Sequence, residues 1–113
     1  MKLPNAEQAQ VPELKITRYL LHPGHPAGGS KAVFFLSFGF TADSWRLLAA
    51  ALLQHAREHE VAAVATSPYG TRYAVDGPLP APSGDILNVR STWFIDAGGS
   101  IPRFVTAHPL PRL

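Results

Sequence analysis

Apolar positions along this chain follow two different rhythms, and the change falls near Glu60. Before it, hydrophobic residues recur at helical spacing. In residues 42–58, Trp45, Leu48, Ala49, Leu52, Leu53 and Ala56 keep the i, i+3, i+4, i+7, i+8, i+11 pattern of one helical face, with Arg46, Gln54, Arg57 and Glu58 opposite. Thr41 or Asp43 is placed to cap that helix. Leu14, Ile16, Tyr19, Leu20 and Leu21 predict a shorter helix over about 12–21, stopped by Pro23. The segment 31–40, KAVFFLSFGF, is apolar almost throughout, so period alone does not separate a buried helix from a buried strand. Gly39 at its end favours a short helix, with Ser30 as its cap.

After Glu60, the stretches VAAVAT, TRYAVD, ILNVRSTWFID and RFVTAH read as strands. SPYG suits a tight turn, GPLPAPSGD a proline-rich loop, and AGGSIP a hairpin closure. In the third strand Leu87, Val89, Trp93 and Ile95 alternate onto one face, and Asn88, Arg90, Thr92 and Phe94 onto the other. The same alternation puts Phe104, Thr106 and His108 on one face of the fourth. Helices followed by a strand meander predict an α+β fold, with N-terminal helices packed on one face of a roughly four-stranded antiparallel sheet. Residues 1–12 are polar and aperiodic and are expected to form an extended arm before a single domain over 13–110.

At 113 residues with 46% hydrophobic and 16% charged residues, the chain suits one globular domain rather than a disordered one. It has no cysteine, which excludes disulfides, thiolate ligands and thiol nucleophiles. No apolar run reaches the ~18 residues of a membrane span, and the first residues lack a signal-peptide profile. The expectation is therefore a cytoplasmic protein without membrane contact. The net charge of +2 is concentrated in residues 1–40, where Lys2, Lys15, Arg18 and Lys31 face only Glu7 and Glu13. That excess lies beside His22 and His25 and suits an anionic partner such as phosphate, though not a dedicated DNA-binding stripe.

Three groups could carry chemistry. The first is the glycine-rich loop His22-Pro-Gly-His25-Pro-x-Gly-Gly-x-Lys31. Imidazoles exchange protons near neutral pH, an ammonium offsets charge building on a phosphate, and glycines let backbone N–H groups approach an anion. The same residues also suit a rigid turn with its histidines bonded to backbone. The second is the late polar set: Arg90, Ser91 and Thr92 on the third strand, Thr106 and His108 on the fourth. Guanidinium and hydroxyl groups there could orient a phosphate, although threonine and an outward arginine are ordinary on a strand. The third is His55 and His59, spaced i, i+4. Without a third ligand at suitable spacing, capping of the helix C-terminus explains them better than zinc.

The ordered motifs begin with K-I-x-x-Y-x-L-x-P-x-H-P-x-G-x-x-K-A from Lys15 to Ala32, followed by a long helix. Then come Y-G-x-x-Y-x-V from Tyr69, V-R-S-x-W from Val89 and P-R-x-x-T from Pro102 to Thr106. Together they resemble a bacterial family of domains of unknown function over nearly the whole chain. At a second level, helices first and an antiparallel sheet after are similar to the small ribonuclease toxins of the barnase, EndoU, colicin and RelE-like group. That resemblance implies His22 or His25 as general base or acid, Lys31 as phosphate support, and Arg90, Thr92 and Thr106 as positioning groups. His108 stands where those relatives often carry tyrosine.

Two function classes follow as expectations. One is a metal-independent, cofactor-independent ribonuclease or toxin-like domain that takes RNA or another anionic phosphate ligand and cleaves it by acid–base chemistry. The other is a non-enzymatic interaction module, a toxin's partner or a homodimer. They divide on whether the early imidazole–ammonium loop and the late hydroxyl–guanidinium strands meet.

Overall fold

The computed structural model describes residues 1–111. Helix α1 begins as an α-helical turn, Glu13–Lys15, and continues as a π-helical turn, Ile16–Leu20, in which the Leu21 N–H reaches the Ile16 carbonyl at 2.8 Å. Helices α2, Gly29–Ser37, and α3, Trp45–Glu58, follow. Strands β1 (Val61–Ser67), β2 (Gly70–Pro80), β3 (Ile86–Asp96) and β4 (Arg103–Pro109) form one antiparallel meander in the order β1-β2-β3-β4. The fold is α+β with an open sheet, as the two rhythms predict, and the ambiguous segment 31–40 is largely helical.

The helices cover one sheet face. Val75 and Leu79, Leu87, Val89 and Trp93, and Phe104 and Ala107 project inward from β2, β3 and β4 against Ile16, Leu20, Phe35, Leu48, Leu52 and Ala56. Of the predicted stripe of α3, Leu48, Ala49, Leu52 and Ala56 are buried and Trp45 and Leu53 half-buried, and the buried face also includes His55, which is only 2% exposed. The His55 Nδ1 lies 2.9 Å from Ser91 Oγ and its Nε2 3.1 Å from the Gly77 carbonyl oxygen, while Trp93 Nε1 donates to the same Ser91 Oγ at 2.9 Å. The carbonyl accepts only if Nε2 carries the proton, so Nδ1 accepts from the serine hydroxyl. His55 is thus a neutral core histidine with both nitrogens engaged, not a C-terminal cap or a chelator. The capping falls to Lys2, whose ammonium donates to the Glu58 and Arg57 carbonyls at 2.8 and 3.3 Å. Ser91, grouped above with the outward polar residues, belongs to this buried network.

Three further expectations change. The N-terminus of α2 precedes Ser30, which lies inside the helix. The N-cap is Gly28, without a side-chain bond. Strand β2 runs four residues past Asp76, through Gly77 and two prolines. Its pairing with β1 ends at Val75, so Pro78 and Pro80 stand where β2 has become an edge strand and a missing N–H is tolerated. Finally, Phe104 does not share a face with Thr106 and His108. The β3–β4 register shifts between Thr92 and Trp93, pairing Trp93 with Phe104 but Thr92 with Thr106. The extra residue, Val105, makes a bulge that sends Phe104 into the core and turns Thr106 and His108 outward.

Residues 1–12 lie along the molecule with Leu3, Ala6 and Ala9 buried. Gln10 bridges to the start of β4 through Gln10 N to Pro102 O, 3.0 Å, and Phe104 N to Gln10 O, 2.9 Å.

Candidate active site

The bulge in β4 places Thr106 at the sheet margin, where α1 and the start of α2 meet it. Lys31, in the first turn of α2, extends its ammonium to two oxygens. It donates to the Tyr19 hydroxyl at 2.7 Å and to Thr106 Oγ1 at 3.1 Å, and the two hydroxyls are 2.8 Å apart. Lys15, one helical turn before Tyr19, donates to the carbonyl of the bulge residue Val105 at 3.2 Å, and its ammonium lies 5.2 Å from the Tyr19 ring centroid. Two ammonium groups therefore flank one phenol.

The loop between α1 and α2 holds this phenol in place. The His25 ring stands edge-on to Tyr19, with centroids 5.0 Å apart at 88°. Its Nδ1 accepts from the backbone N–H groups of Ala27 and Gly28 at 3.0 and 3.1 Å, so the imidazole proton sits on Nε2. Gly28 passes so close to Tyr19 that a Cβ there would lie 2.8 Å from the Tyr19 carbonyl oxygen and 3.0 Å from its ring. Burial raises the Tyr19 pKa, but hydrogen bonds to Lys31 and Thr106 and the charges of Lys31 and Lys15 outweigh it, and the net shift is downward.

Beside this corner, the sheet face not covered by helices holds an open hollow of about 300 Å³, lined by Arg72, Ala74, Arg90, Thr92, Thr106 and His108 among others. The His108 Nδ1 lies 3.1 Å from the Pro109 carbonyl oxygen. A carbonyl oxygen only accepts, so in the neutral ring the proton sits on Nδ1 and the lone pair on Nε2. Arg90 is clamped by Asp76 in a two-point pair, Nε to Oδ1 at 2.7 Å and Nη2 to Oδ2 at 2.9 Å. The Arg90 hydrogen bonds hold the Asp76 carboxyl below its ordinary range, against burial, with the positive charge of Arg90 adding to the effect.

Early and late residues thus meet, though not as a simple merger. Lys31 reaches Thr106; Arg90, Thr92, Thr106 and His108 line one hollow; His25 touches the cluster through Tyr19. His22 is exposed and is not among the lining residues. Arg90 enters already paired to a carboxylate, which offsets its charge toward a phosphate. The residue that sequence reasoning passed over is Tyr19, read there as part of an apolar stripe. Its signal was available: Lys15 and Tyr19 are spaced i, i+4 and share a helical face. Among the described residues, no three His, Asp or Glu side chains gather as metal ligands, and no helix is long and apolar enough to cross a membrane.

Fold and site together define a small α+β domain with an open four-stranded sheet and a lysine–tyrosine–threonine corner at its margin. The chain belongs to the family described as Domain of unknown function (DUF6883), whose model matches residues 2–111. It is similar in fold to a chain of the solved contact-dependent growth inhibition toxin–immunity protein complex from Klebsiella pneumoniae 342. The two share 20% identity over 95% of this chain and 97% of that one, with a TM-score of 0.72. No curated protein matches the sequence.

Proposed function

We propose that the protein is a metal-independent, toxin-like endoribonuclease that cleaves RNA through its own 2′-hydroxyl. The observation carrying this reading is the contact of the Lys31 ammonium with both Tyr19 and Thr106 at the rim of an open hollow that also presents His108.

The chemistry needs a base, an acid and a cation. His108 Nε2 takes the proton from the 2′-hydroxyl, whose oxygen then attacks phosphorus. The new bond joins phosphorus to the 2′-oxygen and the bond to the 5′-oxygen breaks. Tyr19 gives its proton to that departing oxygen, leaving a 2′,3′-cyclic phosphate on one product and a 5′-hydroxyl on the other. Lys31 stabilises both the phenolate left behind and the charge that builds on the phosphoryl oxygens. A lowered phenol pKa favours this donation, because an acid works best when its pKa approaches the working pH. Thr106 and His108 are two residues apart on one face of β4, about 6.7 Å by strand geometry. Tyr19, bonded to Thr106 Oγ1 at 2.8 Å, and His108 thus approach one phosphodiester from two sides. His25 positions Tyr19 and does not itself touch substrate.

The fold likeness to a chain of a toxin–immunity protein complex supports a toxin-related role and a protein partner. Strand β1 offers a place for one: it is a sheet edge, and all its residues after Val61 are exposed. The nuclease reading is tested with a labelled RNA pool in EDTA. Wild type is expected to yield cyclic phosphate ends, and Tyr19→Phe and Lys31→Ala, folded by circular dichroism, to yield about 10²-fold less. Equal cleavage by the variants would refute the assignment.

A further inference from the structure

The hollow is one part of a longer feature set by strand register. Three rows of outward side chains cross the sheet. The middle row pairs Ala63 with Ala74, Ala74 with Thr92 and Thr92 with Thr106, ending at the Lys31–Tyr19 corner. Every side chain in it is small. One flanking row is Ala65, Arg72, Phe94 and Arg103; the other is Asp76, Arg90 and His108. Small residues between large ones make a trough. Its depth shows in Ala74 and Thr92, which are only 7% and 6% exposed on a sheet face that carries no helix. From β4 to β2, where larger side chains flank it on both sides, it spans two strand spacings, about 10 Å, and it opens toward Ala63 on the β1 edge.

The trough has a floor of small side chains, Arg72 on one wall, the Asp76–Arg90 ion pair on the other, and the Lys31–Tyr19 corner at its end. Arg72 makes no ion pair among the described residues, so its guanidinium is available to a ring or a phosphate. Arg90 commits Nε and Nη2 to Asp76 and retains Nη1, while the Asp76 carboxylate supplies acceptors beside it. A floor too narrow for a duplex suits a single planar ring laid flat, and a carboxylate–guanidinium pair suits the mixed donors and acceptors of a base edge.

We propose that this trough seats the unpaired nucleobase on the 5′ side of the cleaved phosphodiester. Thr92, Ala74 and Ala63 form the floor, Arg72 stacks from one flank, and the Asp76–Arg90 pair reads the base edge from the other. The inference rests on the reading of the Lys31–Tyr19–His108 corner as the reacting site. With the 2′-hydroxyl at His108, the attached base points away from the margin, along the trough, and the departing nucleoside leaves past Tyr19. The substrate is then a single-stranded or looped segment of RNA, with preference set at one base.

The test is binding of the four 3′-nucleoside monophosphates against inorganic phosphate by calorimetry, which needs no cleavage. Wild type is expected to bind at least one 3′-nucleotide about tenfold more tightly than phosphate, as one well-placed cation–ring contact allows. Ala74→Leu, which fills the floor with an aliphatic side chain, is expected to erase that difference, with each variant's own phosphate affinity as the reference. Arg90→Gln with Asp76→Asn is expected to change the ranking among the four bases. Nucleotide binding no tighter than phosphate, or a full preference surviving in Ala74→Leu, would overturn the subsite. Base-selective binding by a protein that cleaves no RNA would keep the subsite and refute the nuclease reading. Cleavage without base-selective binding would do the reverse.

Discussion

Phe104 and Thr106, two residues apart on β4, face opposite sides of the sheet: Phe104 packs edge-on to Trp93 in the core at 5.5 Å, and Thr106 meets Lys31 at 3.1 Å on the outside. The bulge at Val105 makes this possible, and Lys15 holds the bulge by its carbonyl. One irregular residue therefore connects core packing to the polar corner at the margin.

The Lys31 ammonium is expected to matter as a charge more than as packing. Lys31→Ala lowers RNA cleavage by about 10²-fold, the scale of loss when one positioned electrostatic donor is removed. Lys31→Arg retains charge but not the two-oxygen geometry of a compact ammonium and recovers only part of the rate. Single-turnover cleavage of both variants checks this, and an arginine variant no better than alanine would show that charge alone does not support the reaction.

Tyr19 should be visible by itself in a spectrophotometric titration. The protein has three tyrosines. Wild type minus Tyr19→Phe isolates a phenol whose midpoint lies below the ordinary 10.0. In Lys31→Met that midpoint moves up, because a hydrogen bond and a positive charge are lost while burial, which favours the neutral phenol, remains. A midpoint that ignores residue 31 would remove the basis for Tyr19 as a tuned acid.

The helical half was legible because α3 carries a strict apolar period, and the sheet because Leu87, Val89 and Trp93 mark one face of β3 against Asn88 and Arg90 on the other. What the sequence concealed was irregular backbone. The bulge at Val105 breaks the period of two, so the face of Thr106 could not be read by alternation. The π-turn and the approach of Gly28 aim Tyr19 at β4, a contact 87 residues away in the chain that no local pattern encodes. Lys31, Thr106 and His108 stood out by residue type, and the structure brings Lys31 to Thr106 and sets Thr106 and His108 in one hollow. That Arg90 arrives paired to Asp76 was not legible, because the pairing depends on the β2–β3 register.

The buried network of His55 makes stability pH-dependent. Burial, reinforced by the charge of His59, lowers the His55 pKa below its ordinary 6.5 despite the Gly77 and Val89 carbonyls and Asp76. The unfolded chain then takes up the proton first. This contribution is complete above about pH 6.5 and is lost as pH falls toward the folded-state value. Urea unfolding from pH 8 to 5 is expected to show stability falling below about 6.5, with a shallower fall in His55→Gln. Ser91→Ala leaves Trp93 Nε1 and His55 Nδ1 without their shared partner and costs about 1–3 kcal/mol.

Gly77 is required by His59. A Cβ at position 77 would lie 2.6 Å from the His59 ring, which itself stands edge-on to His55 at 5.1 Å. Gly77→Ala is expected to destabilise by about 1–3 kcal/mol as the ring is displaced. The double variant Gly77→Ala with His59→Ala recovers most of that loss, whereas no recovery would place the strain in the backbone.

The most direct measurement is the chemistry of the cut ends. Wild-type protein is incubated with a defined RNA in excess EDTA and the products are analysed by mass spectrometry. The account predicts 2′,3′-cyclic phosphate and 5′-hydroxyl termini, abolished when the nucleotide 5′ of the cut carries a 2′-deoxyribose. Intact RNA, or cleavage that persists at the deoxy-substituted site, would contradict it.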